Sequence, residues 1–282
     1  MATYKEKVGT AVQSFDNDPD NPIVGQLWYN KTAAEFRYQE QAYGNAWSSG
    51  GNLNTARGRP GGAGSGNTNA LAFGGDVPGS PTVTGNTEAY DGSSWTEVND
   101  LNTARAQGGG VGATNTAALS FGGILPPTTP NNSALTELWN GTNWTEVNDM
   151  NAAKRNMGPI GTSTSALAAA GGPPAVATNE SWNGTSWTEV ADLNTARNQL
   201  AAAGADNTSG LAFGGTDVPN TNEAWNGTAW FEVNDLNTKR DNFTGTGIQS
   251  AAMAMGGRTP PEAFTNVTEL WNGSSWTETS DL

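Results

Sequence analysis

The sequence of 282 residues contains neither histidine nor cysteine. Ser-His-Asp triads, Cys-His pairs, disulfides, the common haem ligands and the usual zinc sites are therefore excluded, because each needs one of these residues. Charge is scarce too, since Asp, Glu, Lys and Arg make up 14% of the chain against about 25% in an average domain. Acidic residues number 27 and basic residues 13, giving a net charge of −14. We therefore expect no nucleic-acid partner, because surfaces that bind phosphates are basic.

Long apolar runs are also missing. No run approaches the roughly 18 residues of a membrane-spanning helix, so we expect no membrane insertion. The first residues, MATYKEKVGT, contain no apolar segment like that of a secretory signal peptide. We therefore expect synthesis in a cytoplasm without export through a signal peptide.

The sequence is instead rich in glycine, tryptophan and internal repetition, with 37 Gly and 11 Trp. TEAYDGSSWTEVNDLNTAR at 87–105 recurs as TELWNGTNWTEVNDMNAAKR at 136–155 and as NESWNGTSWTEVADLNTAR at 179–197, and two further copies follow. One register of the repeat is marked by Trp47, Trp95, Trp144, Trp187, Trp230 and Trp276. Their spacing of 43 to 49 residues is typical of armadillo-type helices or of propeller blades.

Strands explain this repeat better than helices. Gly, Asn and Thr abound in each unit and are poor helix formers. Each unit has an apolar run closing in Gly-Gly, an aromatic run, an Asn-Gly or Asp-Gly turn, and a second aromatic run such as WTEV at 144–147. The turn predicts a type I′ hairpin, with flanking aromatics such as Trp139 and Trp144 placed diagonally on one face. A preceding run of small residues, such as GGGVGAT at 108–114, suits the crowded innermost strand of a propeller.

Together these features resemble the kelch family of β-propellers over roughly residues 36–282. The resemblance rests on the Gly-Gly run, on the aromatic that follows it after a loop, such as Trp182, and on the Trp five residues beyond. It implies an all-β, kelch-like β-propeller of four-stranded antiparallel blades. Galactose oxidase-type enzymes on this fold hold copper partly through His, which this chain lacks. We therefore expect no enzyme activity, no catalytic residue, no metal and no cofactor.

The number of blades is predicted as six. AYGNAW at 42–47 matches AYDGSSW at 89–95 with one residue lost, and GQLWYN at 25–30 and EFRYQ at 35–39 are predicted to be two further strands. KVGTAVQ at 7–13 could supply the innermost strand. Five blades with a separate N-terminal hairpin is the alternative. The expected organisation is an extension over 1–24 and a propeller over 25–282, divided into a partial blade at 25–52 and units at 53–100, 101–149, 150–192, 193–235 and 236–282.

The connection between the second and third strands varies most among the units. It spans 76–87, 124–136, 173–179, 216–222 and 258–268 and holds ten of the 14 prolines. In a four-stranded antiparallel blade, this connection and the blade-to-blade connection emerge on the same face. Insertions on one face often mark a binding face, although tolerated drift would give the same pattern. The candidate contact residues are Asp76, Ile124, Leu125, Asn131, Asn132, Asp217, Arg258, Glu262 and Phe264.

Three other patterns admit both a functional and a structural interpretation. The repeated cations Arg57, Arg105, Lys154, Arg197 and Arg240 could form a charged ring that holds an anion or sugar, but we favour ion pairing between neighbouring blades or capping, because the five donors of Arg suit it to bridging blades. The periodic Trp side chains could stack on sugars, but their strict spacing favours core packing, which leaves Trp28 as the better candidate for a special contact. Asp16, Asp18 and Asp20 have the spacing of a calcium loop but lack its Gly and final Glu, so an acidic turn is favoured.

A second resemblance concerns the N-terminal 47 residues. GQLWYNKTAAEFRYQ followed by AYGNAW looks like a segment of bacteriophage tail-fibre and other appendage proteins, and is similar to the N-termini of kelch-like proteins from marine bacteriophages. It implies a virion protein in many copies, with residues 1–24 docking to other virion proteins and the propeller facing a glycan or protein of the host surface. One alternative is a protein- or carbohydrate-binding propeller scaffold without a virion role. A less favoured alternative is a carboxylate-based glycan-degrading enzyme.

Overall fold

The computed structural model describes residues 13–17, 19, 27–38, 47–79, 82–126, 131–218, 220–261 and 263–282. The chain divides into two compact units, 1–46 and 47–282. Within the described ranges, no helix is long and apolar enough to cross a membrane.

The first unit contains a three-stranded sheet. Its strands are β1 (Gln13–Phe15), β2 (Leu27–Asn30) and β3 (Glu35–Tyr38). β2 and β3 form an antiparallel hairpin, whereas β1 pairs in parallel with β2.

The second unit is a β-propeller arrangement of five four-stranded antiparallel sheets, here called blades 1 to 5. Blade 1 consists of β4 (Gly61–Gly66), β5 (Asn69–Phe73), β6 (Thr87–Tyr90) and β7 (Trp95–Val98). Blade 2 consists of β8 (Gly109–Thr114), β9 (Ala117–Phe121), β10 (Thr136–Trp139) and β11 (Trp144–Val147). Blade 3 consists of β12 (Gly158–Thr162), β13 (Ser165–Gly171), β14 (Val176–Trp182) and β15 (Trp187–Val190). Blade 4 consists of β16 (Ala201–Asp206), β17 (Ser209–Phe213), β18 (Asn222–Trp225) and β19 (Trp230–Val233).

Blade 5 carries an insertion. Its four strands are β20 (Thr244–Ile248), β21 (Ala251–Met255), β24 (Thr268–Trp271) and β25 (Trp276–Glu278). Between the second and third of them lies a small hairpin of β22 (Arg258–Thr259) and β23 (Ala263–Phe264). Strand order in every blade follows chain order.

The prediction of six blades is wrong, because the described residues form five. Residues 27–38 belong to the separate sheet and not to a partial blade at 25–52. The sequence upstream of Trp47 lacks the apolar run closing in Gly-Gly that ends the second strand of each of the five blades. Of the proposed innermost strand at 7–13, only Gln13 is described, and it pairs with β2 in parallel. The alternative of five blades with an N-terminal hairpin agrees with the structure.

The hairpin between the last two strands of each blade differs in detail from the predicted type I′ turn. Only the glycine has a positive φ, +93° at Gly141 and +92° at Gly184, whereas the preceding Asn does not. Asn140 N donates to Asn143 O at 3.2 Å, so the two central residues are Gly141 and Thr142. A type I′ turn needs a positive φ at both central residues, so this turn is not type I′. The flanking Trp139 and Trp144 lie directly opposite each other rather than diagonally, with ring centroids 5.4 Å apart.

This turn geometry predicts a cost for any side chain at its glycine. Gly184→Ala should lower the free energy of unfolding by about 1–3 kcal/mol, because a Cβ is strained at positive φ. Gly66→Ala is the matched control, since Gly66 also lies in a hairpin but its Cβ would meet nothing within 4 Å. Urea denaturation of both variants tests this, and equal losses would contradict the assigned turn.

The first strand of each blade is innermost, since the first strands of successive blades contact one another. A Cβ on Gly110 of β8 would lie 2.6 Å from the backbone N of Gly62 in β4. A Cβ on Gly161 of β12 would lie 3.2 Å from the Cα of Asp206 in β16. Backbones that approach this closely leave no room for side chains, which confirms the reason given for the small residues of these strands.

Tryptophans fill the space between blades. Trp182 and Trp187 of blade 3 pack in one cluster with Leu119 and Phe121 of blade 2, and Phe121 and Trp187 have ring centroids 4.9 Å apart. Of the six tryptophans in the predicted core register, Trp144, Trp187, Trp230 and Trp276 are buried. The core interpretation is therefore confirmed for four of the six.

The other two, Trp47 and Trp95, lie at the start of the unit. Trp95 is half-buried, and its Nε1 donates to Gly51 O at 3.0 Å. Trp47 is 46% exposed and donates to Ser280 O at 3.2 Å. No preceding blade among the described residues covers these two rings, so they contact the entering chain and the C-terminal segment instead.

Candidate functional site

Two sets of segments lie side by side on one face of the propeller, which we call the loop face. One set is the connections between the second and third strands of the blades. The other set is the connectors, by which we mean the segments that lead into the first strand of each blade. Gly58 bridges to Asp76, Ala106 to Ile124, and Asp241 to Arg258. These contacts place the variable connections beside the connectors, as the sequence predicted, with the Gly-containing turns at the opposite ends of the strands.

The repeated cations are buried beneath this face and paired with glutamates. Arg197 Nη2 lies 2.7 Å from Glu223 Oε1, and both side chains are at most 1% exposed. The other pairs are Arg57 with Glu88, Arg105 with Glu137, Lys154 with Glu180, and Arg240 with Glu269. Each cation precedes the first strand of a blade, and its glutamate lies on the third strand of the same blade. Ion pairing is therefore confirmed, and these cations do not form an open charged ring. The expectation that the pairs join neighbouring blades is wrong, because each pair ties a connector to the blade that it enters.

Each glutamate also anchors the connector that carries its cation. The Glu223 carboxylate accepts bonds from Asn194 N and Asn194 Nδ2, both at 2.8 Å, in addition to the bond from Arg197. Burial lowers the pKa of Arg197, and the charge of Glu223 opposes that shift. The donors that satisfy this carboxylate all come from the repeat itself, so the pair belongs to the scaffold. The signal that sequence reasoning missed is the Glu that follows Thr or Asn in each third strand.

The pair in blade 3 is the weakest of the five. Lys154 Nζ lies 3.9 Å from Glu180 Oε1 and instead donates to Thr178 O at 3.0 Å. The ammonium donates to the backbone carbonyls of Thr178 and Ala168 but does not come within hydrogen-bond distance of the carboxylate, whereas the wider guanidinium fork reaches the carboxylate and backbone carbonyls together. Blade 3 thus differs from its neighbours at the connector, and the next residue, Arg155, differs as well.

A second set of repeated residues surrounds the centre of the loop face. Each lies two residues before the first strand of its blade, and together they form what we call the central ring: Arg59, Gln107, Asn156, Gln199 and Asn242. All five have φ between +50° and +60°, although none is glycine. Backbone N–H groups link them in series, since Gln107 N donates to Arg59 O at 3.3 Å, Asn156 N to Gln107 O at 2.9 Å, Gln199 N to Asn156 O at 2.9 Å and Asn242 N to Gln199 O at 3.0 Å.

The central ring brings five polar residues together at one end of the innermost strands. A non-glycine residue in the left-handed region costs free energy and persists where the surroundings impose it. Here four backbone hydrogen bonds between successive connectors hold the five residues in place. The result is one guanidinium and four amide groups in a fixed backbone frame, with Arg59 and Asn242 exposed and the other three half-buried.

Some candidate contact residues of the first two blades make contacts within the propeller itself. Asp76 pairs in the backbone with Gly58, and its Oδ2 accepts from Arg59 Nε at 2.7 Å. Ile124 is 3% exposed and packs in a cluster with Val83 and Ala106, so its side chain belongs to the interior of the loop face. Leu125 and Asn132 are half-buried, Asn131 is exposed, and Asn132 Oδ1 is buried without a hydrogen-bond partner.

The candidates of blades 4 and 5 lie nearer the surface. Asp217 is exposed with a φ of +69°. Arg258 Nε donates to Asp241 Oδ1 at 3.0 Å. Phe264, on β23 of the inserted hairpin, is 89% exposed, and Glu262 lies outside the described residues. The structure therefore leaves Asn131, Asp217 and Phe264 as the exposed candidates of this face, with Phe264 the largest apolar surface among them.

Two further sequence features fall on the first unit. Asp16 Oδ1 accepts from Lys31 Nζ at 2.9 Å, whereas Asp18 and Asp20 lie outside the described residues. The backbone of Trp28 is part of β2, but its side chain is not among the parts of the chain that the structure describes.

No protein-family model matches this sequence, and no curated protein is significantly similar to it.

Proposed function

We propose that this chain is a non-enzymatic structural protein of a bacteriophage virion, on a tail, fibre, baseplate or capsid surface, whose kelch-like propeller recognises the host surface or decorates the particle. The observation that carries the proposal is the division of the second unit into a repeated scaffold and a variable face. The buried ion pairs and tryptophans recur from blade to blade, whereas the connections at 76–87, 124–136 and 258–268 differ in length and sequence. A scaffold of this kind displays loops.

The composition of the loop face supports a recognition role. An aromatic side chain that is 89% exposed, Phe264, projects from the hairpin inserted in blade 5. Exposed aromatics beside polar side chains are typical of surfaces that bind sugars or proteins. The resemblance of the N-terminal 47 residues to phage appendage proteins supports a particle location. In this proposal the N-terminal segment docks to other virion proteins, and the propeller is present in many copies.

Detection on purified particles tests the virion role. We expect mass spectrometry of the purified phage that encodes this chain to find it at structural-protein abundance, and antibodies against residues 47–282 to label one part of the particle by electron microscopy. A protein found only in the soluble lysate would reject the virion role and favour a propeller scaffold without one.

Competition tests the recognition role. We expect the purified full chain to reduce adsorption of the phage to host cells, and Phe264→Ser to weaken this competition because it removes the exposed aromatic. Phe231→Ser is the matched control, since Phe231 is 45% exposed on β19 and away from the inserted hairpin. Equal competition by both variants would show that the inserted hairpin does not take part in host recognition. If the unaltered chain does not compete, particle decoration would remain as its role.

A further inference from the structure

Arg155 stands apart from the other arginines of the loop face because it has no counter-charge. Arg59 is paired with Asp76 at 2.7 Å and Arg258 with Asp241 at 3.0 Å. In the described part of the chain, Arg155 has neither a hydrogen bond from its side chain nor an ion pair. Its Nε is buried without a partner. In a chain with a net charge of −14, an unpaired and partly buried guanidinium is unusual, since burying an uncompensated charge costs free energy.

The sequence of blade 3 explains the missing partner. In blades 1 and 5 the connection after the second strand supplies the partner of the connector, Asp76 in one case and Arg258 in the other. In blade 3 the corresponding segment is GGPPA at 171–175, which contains no charged side chain. It meets the connector through Gly172 N, which donates to the backbone O of Arg155 at 2.9 Å. The backbone contact is thus kept, while the side chain of Arg155 is left unpaired.

The surroundings of Arg155 add positive charge and neutral hydrogen-bonding groups. Burial lowers the pKa of Arg155, and the nearby charge of Arg59 lowers it further. Arg155 directly precedes Asn156 of the central ring, whose backbone is bonded to Gln107 on one side and to Gln199 on the other. The backbone bonds therefore place Arg155 beside three amide residues in series, with Arg59 at the end of the same series.

We propose that Arg155, with Arg59 and the amides of the central ring, binds an acidic saccharide. A planar guanidinium donates two parallel bonds to a carboxylate, and Asn and Gln amides both donate to and accept from sugar hydroxyls. The inference rests on the proposed host-surface role for the choice of a saccharide, whereas the choice of a carboxylate rests on Arg155 alone. The ligand class is a uronic or sialic acid at an accessible position of a host glycan.

Calorimetric titration of the full chain tests the site with two acidic probes, a galacturonic acid trisaccharide and sialyllactose, and with their neutral counterparts, a galactose trisaccharide and lactose. We expect at least one acidic probe to bind about tenfold or more tightly than its neutral counterpart, the factor that one charge-assisted hydrogen bond supplies. Arg155→Gln should remove this preference, and Arg155→Lys should keep part of it. Lys239→Gln is the charge-matched control, because Lys239 is exposed on the connector of another blade, and it should change affinity less than twofold.

Three outcomes of the saccharide titrations would overturn the proposal. They are the absence of binding to both acidic probes, equal affinity for acidic and neutral probes, and an Arg155→Gln variant that binds as the unaltered chain does. Displacement by inorganic phosphate at the same concentration as the saccharide would also overturn it, since the site would then select charge only. Thermal unfolding of each variant controls for folding. Because the virion role is tested on particles, its failure and the failure of this site are separate results.

Discussion

Replacing Glu223 with Gln should lower the free energy of unfolding by about 3–5 kcal/mol, the cost of removing one partner of a buried ion pair. The side chains of Glu223 and Arg197 are at most 1% exposed, so the guanidinium left behind cannot be solvated without opening the blade. The new amide would also turn a donor toward Asn194, whose N and Nδ2 both donate to the carboxylate at 2.8 Å. Urea denaturation of the two proteins measures the difference.

The adjacent strand provides a matched control for this substitution. Glu232 lies directly opposite Glu223 in the β18–β19 register but is exposed. Glu232→Gln should change the free energy of unfolding by less than about 0.5 kcal/mol, as surface substitutions usually do. Arg197→Lys should cost less than Glu223→Gln, because blade 3 already accommodates Lys154 at this position. A Glu223→Gln loss no larger than that of Glu232→Gln would show that the pair does not hold the connector.

Truncating Trp187 to Ala should lower the free energy of unfolding by about 3–5 kcal/mol, the usual range for a buried tryptophan. Its ring lies between blades, with centroid distances of 4.9 Å to Phe121 and 5.5 Å to Trp182. Its Nε1 donates to Thr136 Oγ1 at 3.0 Å, across the interface to blade 2. The loss combines the transfer of the ring into water with the cavity that remains.

Substitution by Phe separates the hydrogen bond from the packing. Trp187→Phe removes the bond to Thr136 and should cost about 1 kcal/mol more than Trp230→Phe. Trp230 occupies the same place one blade on, but its Nε1 is buried without a partner, because the preceding blade has Asn179 where blade 2 has Thr136. The Asn179 amide is already bonded, to Ala170 N and Ala191 O, at 2.9 Å each. Equal losses in calorimetric unfolding would contradict a contribution from the indole N–H.

Much of the blade could be predicted from the repeat, because its signals are local. Gly-Gly marks the end of the second strand, a glycine marks the last hairpin, and aromatic runs such as WTEV mark the strands beside it. Each signal lies within a few residues of the strand end that it predicts. The small residues of the first strands likewise predicted their innermost position. The hairpin showed the limit of this reasoning, since Asn-Gly predicted a type I′ turn with both residues at positive φ, whereas in the structure Gly141 has a positive φ and Asn140 does not. The difference arises because the side-chain oxygen of Asn140 accepts from Thr142 N and Asn143 N at 2.9 Å each.

The partners of buried groups could not be predicted in the same way. The cation of each connector and its glutamate are 26 to 32 residues apart, and the sequence offers two other acids per unit that are equally regular. Only the tertiary structure selects between them, because the connector covers Glu223 on the third strand and leaves Glu232 on the fourth strand exposed. The number of blades was uncertain for a similar reason, since WYN and EFRY have strand-like sequences whichever sheet they join.

By itself the sequence determined the class of the fold, the period of its repeat, the strand order within a blade and the face on which its variable loops emerge, because all of these depend on residues close together in the chain. Only the tertiary structure decided that five blades form, which acids the buried cations pair with and that Arg155 has no partner. These depend on groups brought together from different strands, where burial raises the cost of an unpaired charge and so distinguishes side chains that look equivalent in the repeat.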